Sequence, residues 1–111
     1  MEKLFKCSVC NFVYEGENAP DICPKCGQPH EKFKELSEES ADKIYQSEVT
    51  NDIHMEIITL IDKVIYLANE GIDLDLDPAC VSAFQKAVDE GYLIKQLCKA
   101  EIENHIGKGK W

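Results

Sequence analysis

Four of the six cysteines in this 111-residue chain form two Cys-x-x-Cys pairs, Cys7/Cys10 and Cys23/Cys26, with twelve residues between the pairs. Each pair presents two sulfurs on one tight turn, and two such turns facing each other form a tetrahedral S4 cage that suits zinc or a single iron. In a reducing compartment, paired cysteines of this kind favour metal or redox chemistry over disulfides. The sequence therefore predicts one metal site with all four cysteines as ligands.

The residues around the cysteines favour tight turns. The position after the second cysteine of each pair is expected to need a positive φ, so that backbone N–H groups can point at the sulfurs. Gly27 adopts that conformation at no steric cost, and Asn11 is one of the few other residue types tolerated there. Pro24 stiffens the second turn. We expect two cysteine knuckles with left-handed residues at Asn11 and Gly27.

The stretch FKCSVCNFVYEGENAPDICPKCGQPHEKF, residues 5–33, resembles the rubredoxin-type domain of the rubrerythrin family. The shared features are the two cysteine pairs, the Ala-Pro between them and the Cys-Pro-x-Cys-Gly turn. Asn11 departs from the pattern, since the family normally has glycine there. The resemblance implies one iron bound by Cys7, Cys10, Cys23 and Cys26 that cycles between ferrous and ferric states. A zinc ribbon with the same ligands and a structural role is the alternative.

Residues 1–36 are predicted to be a rubredoxin-like or zinc-ribbon-like metal module with short strands. Its expected core is aromatic, built from Phe5, Phe12, Tyr14 and Phe33. A segment of this size buries little apolar surface, so metal binding is expected to supply much of its folding energy.

Residues 37–111 are predicted to form an all-α antiparallel hairpin with helices at about 40–70 and 78–106. Apolar residues recur there at steps of three and four, which is typical of amphipathic helices. Gly71 is the expected C-cap of the first helix, and Asp77 followed by Pro78 is the expected start of the second. The polar run Thr50–Asp52 leaves open whether the first helix is continuous or broken.

The charge distribution excludes several partners. The net charge is −9 and arginine is absent, so neither nucleic acid nor an anionic membrane surface is an expected partner. Residues 1–36 contain six acidic residues and five lysines, whereas residues 37–111 contain fifteen acidic residues and seven lysines. No apolar run approaches the ~20 residues of a membrane span, and the first residues have no signal-peptide core. The expected location is the cytoplasm.

Catalytic residues are not expected. Rubrerythrins join the rubredoxin-type domain to a four-helix bundle that holds two irons and reduces hydrogen peroxide, and in reverse rubrerythrins the rubredoxin-type part comes first, as here. That di-iron site needs Glu-x-x-His motifs, and no histidine of this chain has a glutamate three positions before it. The histidines are His30, His54 and His105, and the residues three positions earlier are Gly27, Asn51 and Ile102. Glu101 and His105 share a helical face, where they could hold an isolated metal or form a polar pair near a helix end. Cys80 and Cys98 are expected to be free cysteines of the hairpin.

These observations predict an electron-transfer protein that carries one iron and docks weakly to a redox partner protein. The alternatives are a structural zinc-ribbon interaction module and, with less support, a rubrerythrin-like peroxide reductase. The apolar surface of both helices is wider than one helix–helix contact can cover, so a homodimer that completes a four-helix bundle is also expected.

Overall fold

The computed structural model describes residues 1–111 and divides the chain into two compact units, Met1–Tyr45 and Gln46–Trp111. The first unit contains a small sheet and the cysteine knuckles. The chain then continues in two long helices, of which the first begins in the first unit and the rest belongs to the second unit. The predicted fold class, a small metal module followed by an α-helical hairpin, is confirmed for the single chain.

The first unit is built on a three-stranded antiparallel sheet. Its strands are β1 (Lys3–Cys7), β2 (Val13–Gly16) and β3 (Phe33–Glu35), in the order β2-β1-β3. A single 3₁₀ turn at His30–Lys32 precedes β3. The central strand β1 ends at Cys7, which pairs with Phe33 of β3 and donates its N–H to the carbonyl of Phe12, just before β2.

The core of this unit is smaller and less aromatic than the sequence predicts. Leu4, Cys7 and Cys23 are the buried apolar residues, with exposed fractions of 3%, 0% and 2%. Tyr14 is exposed, because it lies on the outer face of the edge strand β2. Of the four aromatic residues expected in this core, Phe5, Phe12 and Phe33 are half-buried and Tyr14 is exposed.

Helix α1 runs from Glu38 to Leu74 without interruption. The Ser37 hydroxyl accepts a hydrogen bond from the Ser40 backbone N–H at 3.2 Å, which caps the first turn. The helix continues through the polar run at 50–52, where Asn51 is buried rather than exposed at a break.

The expected C-cap at Gly71 is wrong. A Cβ at Gly71 would collide with the ring of Phe84, so this glycine is needed for close helix packing and lies inside α1. The left-handed residue that follows the helix is Asp75, with φ 48°, whose N–H donates to the Ile72 carbonyl at 3.0 Å.

Helix α2 runs from Pro78 to Gly107, as its cap residues predict. The Asp77 carboxylate accepts a hydrogen bond from the Cys80 N–H at 2.8 Å, and Pro78 takes the first helical position. At the other end, the Lys108 N–H donates to the His105 carbonyl at 3.0 Å.

The two helices pack antiparallel along a contact seam with steps of three and four residues. Its centre is the cluster of Ile65, Ala68 and Val88, and Gly91 lets α2 approach Ile65 closely. Every seam residue is buried or half-buried. The seam comprises Ser47, Asn51, His54, Ile58, Ile61, Ile65, Ala68 and Ile72 on α1, and Val81, Phe84, Val88, Gly91, Lys95, Cys98, Ile102 and His105 on α2. Neither helix combines the length and apolar character that a membrane span requires.

Candidate metal centre

The two cysteine knuckles have the same backbone design. In the first, the Cys7 N–H donates to the Phe12 carbonyl at 2.8 Å and the Asn11 N–H donates to the Cys7 carbonyl at 3.0 Å. In the second, the Cys23 N–H donates to the Gln28 carbonyl at 2.8 Å and the Gly27 N–H donates to the Cys23 carbonyl at 2.9 Å. The repeated pattern folds each Cys-x-x-Cys pair into a tight loop with both sulfurs on one side.

Left-handed residues close both knuckles, as the sequence predicts. Asn11 has a φ of 68° and Gly27 a φ of 76°. A Cβ at Gly27 would meet nothing within 4 Å, so the glycine there relieves backbone strain and not crowding. The structure confirms that Asn11 substitutes for glycine in the conformation of the turn.

The four Sγ atoms of Cys7, Cys10, Cys23 and Cys26 all lie within 4.8 Å of one another. Two contacts join the knuckles, Cys7 Sγ to Cys26 Sγ at 3.7 Å and Cys10 Sγ to Cys23 Sγ at 3.6 Å. A tetrahedral ion with metal–sulfur bonds of about 2.3 Å needs sulfurs about 3.8 Å apart. The donor set therefore fits one four-coordinate thiolate-bound metal ion.

The site is buried on one side and open on the other. Cys7 and Cys23, the first cysteine of each pair, are buried, whereas Cys10 is half-buried and Cys26 is exposed. The second cysteine of each pair is thus more exposed to solvent than the first.

Backbone N–H groups stabilise the negatively charged thiolate form of Cys7 and Cys23. The N–H of Cys10 is the main cause that lowers the pKa of Cys7. Burial raises the pKa of Cys23, but the N–H groups of Cys26 and Lys25 outweigh it and lower that pKa to about 7. The Gln28 N–H lowers the pKa of Cys26, but burial and the neighbouring thiols raise it to about 12. We attribute this split to repulsion, because four close thiols cannot all ionise without a cation between them.

The other cysteines lie outside this site. Cys98 is buried in the helical hairpin and Cys80 is half-buried in the first turn of α2. The four-cysteine group is the one cluster in the structure whose ligand atoms converge closely enough to hold a metal.

A polar cluster at the open end of the hairpin was not predicted from the sequence. His105 Nδ1 donates to the Asn51 amide oxygen at 2.7 Å, and Asn51 Nδ2 donates to the Lys110 carbonyl at 3.0 Å. The His54 and His105 rings are edge to face, with centroids 6.4 Å apart, and Glu101 lies 3.9 Å from His105 Nε2. Glu101 and His105 therefore form a polar pair within α2 near its end, and His105 also contacts Asn51 and His54 of α1. The sequence signal for this cluster is that Asn51, His54 and His105 are polar residues at positions where the helical repeat places the contact seam.

Replacing Asn11 should separate backbone conformation from side-chain chemistry. Asn11→Val places a β-branched residue at φ 68°, which we expect to destabilise the first unit by about 1–2 kcal/mol. Asn11→Gly should keep the fold and the metal and shift the reduction potential only modestly, because it changes the surroundings of the sulfurs and not the ligands. Chemical denaturation and voltammetry of both variants test this. Loss of metal from Asn11→Gly would contradict it.

The knuckles, the sheet and the four converging sulfurs define a metal-binding module of the rubredoxin type. Residues 5–34 match the family model described as "Rubrerythrin, rubredoxin-like domain". The resemblance inferred from the sequence is therefore confirmed for this segment.

Two curated relatives align with the same region. Reverse rubrerythrin-1 of Clostridium acetobutylicum is 51% identical over 37 residues, which cover 33% of this chain and 20% of that protein. Rubrerythrin-1 of the same organism is 44% identical over 36 residues, which cover 32% of this chain and 18% of that protein. The chain thus spans about a fifth of the length of the curated relatives it matches. No solved structure matches the chain.

Proposed function

We propose that this protein is a small electron carrier with one iron bound by Cys7, Cys10, Cys23 and Cys26. The observation that carries the proposal is the convergence of four thiols on two knuckles of the rubredoxin type. Bound iron would supply one-electron oxidation and reduction.

The knuckles suit this role because they hold the sulfurs through the backbone. The carbonyls of Cys7 and Cys23 accept hydrogen bonds that close each loop, so the sulfur positions depend little on flexible side chains. N–H groups directed at the sulfurs stabilise thiolate charge. A rigid sulfur cage keeps structural rearrangement small when the charge of the site changes.

Access to a redox partner would come through the open side of the site. Cys26 is exposed and Cys10 is half-buried, so a docked protein could approach these sulfurs without opening the fold. The chain carries a net charge of −9, which would steer a basic partner. Weak and short-lived docking suits electron transfer.

The helical hairpin would serve as an oligomerisation module and the cytoplasm as the location. All six cysteines are free, which accords with a reducing compartment. Peroxide reduction by a di-iron site is not part of this proposal, because the sequence lacks the Glu-x-x-His motif that such a site needs.

Colour and metal content test the assignment of iron. Protein produced with iron available and purified without oxygen should contain one iron per chain. It should turn red on oxidation, because thiolate-to-iron charge-transfer bands appear, and it should bleach on reduction. Zinc-reconstituted protein is the colourless control. One tightly held zinc recovered from iron-rich cells would instead support the structural zinc-ribbon function.

A further inference from the structure

Helix α1 carries a second apolar stripe beside the contact seam. It has the same spacing of four and three residues as the seam but faces away from α2. Its larger side chains remain exposed, with 56% of Leu60, 42% of Val64 and 53% of Leu67 accessible to solvent. The stripe comprises Ile53, Ile57, Leu60, Val64, Leu67 and Leu74.

Helix α2 carries a matching stripe on the same side of the hairpin. In an antiparallel helix pair, the positions that immediately precede the seam on each helix face one another. At these positions on α2, Ile94 is 39% exposed, and Leu97 one turn further on is 60% exposed. The α2 stripe comprises Cys80, Ala83, Ala87, Ile94 and Leu97. We call the two stripes together the apolar flank.

The opposite flank of the hairpin is mixed, because it exposes Met55, Tyr66, Tyr92 and Ile106 among polar residues. It carries the ion pair of Lys95 with Asp62, whose Nζ and Oδ1 atoms are 2.6 Å apart. The positions that follow the seam are mainly charged or amide residues. They include Asp52, Thr59, Asp62, Asn69 and Asp73 on α1, and Gln85, Asp89, Gln96, Lys99 and Glu103 on α2. The charged and amide residues interrupt the apolar side chains of this flank, whereas the apolar flank has apolar residues at nearly every stripe position.

We propose that the apolar flank binds the apolar flank of a second copy of this chain, so that two hairpins form a four-helix bundle. This deepens the oligomerisation role proposed above by assigning the surface. The half-exposed side chains of the flank offer on the order of 500 Å2 of apolar area per chain, at the upper end of what monomers expose as one patch. With the small residues and backbone between them, the flank approaches the roughly 800 Å2 per partner of a stable interface.

The lack of charge along the apolar flank permits contact between two copies. Two chains of net charge −9 repel each other, and a neutral contact surface keeps the close-range part of that repulsion small. Within the apolar flank from 53 to 97, Glu90 is the single charged residue at a stripe position. A basic partner would instead be attracted to the acidic remainder of the surface. The apolar flank has large side chains on α1 and small residues at the start of α2. In a two-fold dimer, the ridge formed by the large residues of one copy could pack into the groove formed by the small residues of the other.

Adjacent residues on opposite flanks provide a matched test. Leu67 and Tyr66 are 53% and 63% exposed, and only Leu67 belongs to the apolar flank. In sedimentation equilibrium of the complete chain at micromolar concentration, we expect the wild type and Tyr66→Glu to have twice the 12.6 kDa chain mass. Leu67→Glu should weaken dimerisation roughly 100-fold, because it would bury an unpaired charge in the interface. Leu97→Glu on α2 should have the same effect.

Several outcomes would overturn this assignment. They are a wild-type mass of one chain, a mass above that of two chains, a Leu67→Glu variant that stays dimeric, and a Tyr66→Glu variant that dissociates as readily as Leu67→Glu. Helical circular dichroism identifies any variant that fails to fold, and the second variant then decides. Metal content is measured on the same samples. A zinc-loaded dimer would contradict the electron carrier and support the interface, whereas an iron-loaded monomer would do the reverse.

Discussion

Serine in place of Cys26 is expected to release the metal and unfold the cysteine module. The hydroxyl of serine is a poor substitute for a thiolate, so the ion loses one of its four ligands. The apolar residues buried in the first unit are Leu4, Cys7 and Cys23, which is too small a core to hold residues 1–36 together. Binding free energies for structural metals of this kind are on the order of 10 kcal/mol and thus exceed what this core can supply. Metal analysis and the dispersion of amide NMR signals measure both effects.

Cys80→Ser is the matched control for this loss. Cys80 is a free, half-buried cysteine in the first turn of α2 and is not one of the four cysteines whose sulfurs converge. We expect this variant to keep its metal and the native amide signals of residues 1–36. Native signals for residues 1–36 in metal-free Cys26→Ser protein would show that the module folds without metal.

Alanine at Gly71 is expected to destabilise the hairpin by about 2 kcal/mol. Its Cβ would enter the ring of Phe84 on the facing helix, and overpacking of this kind costs about 1–3 kcal/mol. The better helix propensity of alanine offsets only about 1 kcal/mol of that loss. Urea denaturation followed by helical circular dichroism, at fixed protein concentration, measures the free energy of unfolding.

Alanine substitutions at two other glycines test whether the loss of stability depends on the space available for a Cβ. At Gly91 a Cβ would lie 2.9 Å from Ile65 Cγ1, so Gly91→Ala should cost less than Gly71→Ala. At Gly107 a Cβ would meet nothing within 4 Å, so Gly107→Ala should be neutral or slightly stabilising. Phe84→Leu should recover part of the stability of Gly71→Ala, because the two residues are in contact. Equal losses at Gly71 and Gly107 would rule out packing as the cause.

The metal site was predictable because each of its two turns is determined by residues that are adjacent in the sequence. Each Cys-x-x-Cys pair forms its own turn, and residues such as Asn11 and Gly27 reveal the backbone conformation that the turn requires. The exposure of Tyr14 was not predictable from the pattern. It depends on β2 lying at the edge of the sheet, and strand order is a long-range property.

The helices were predictable as elements but not in every detail. Glycine is the residue type expected at a helix C-cap. Gly71 instead lies inside α1, where the ring of Phe84, thirteen residues later in the chain, leaves no room for a Cβ. The polar residues at 50–52 are of types that could break a helix. Asn51 is instead held by His105 in the last turn of α2 and by Lys110 just beyond that helix. Local propensity cannot report contacts made across a hairpin.

The hydrogen bonds of Asn51 also determine how the two helices are aligned. Apolar seams that repeat every seven residues could slide by one repeat and still bury similar side chains. Such a slide would separate Asn51 from His105 and leave buried polar groups without partners, which costs more than the lost contact alone. The polar cluster therefore selects one helix register from several that would bury a comparable apolar area. That register also sets which residues of α1 and α2 lie side by side along the hairpin, so a change at Asn51 would be felt on a surface several helical turns away.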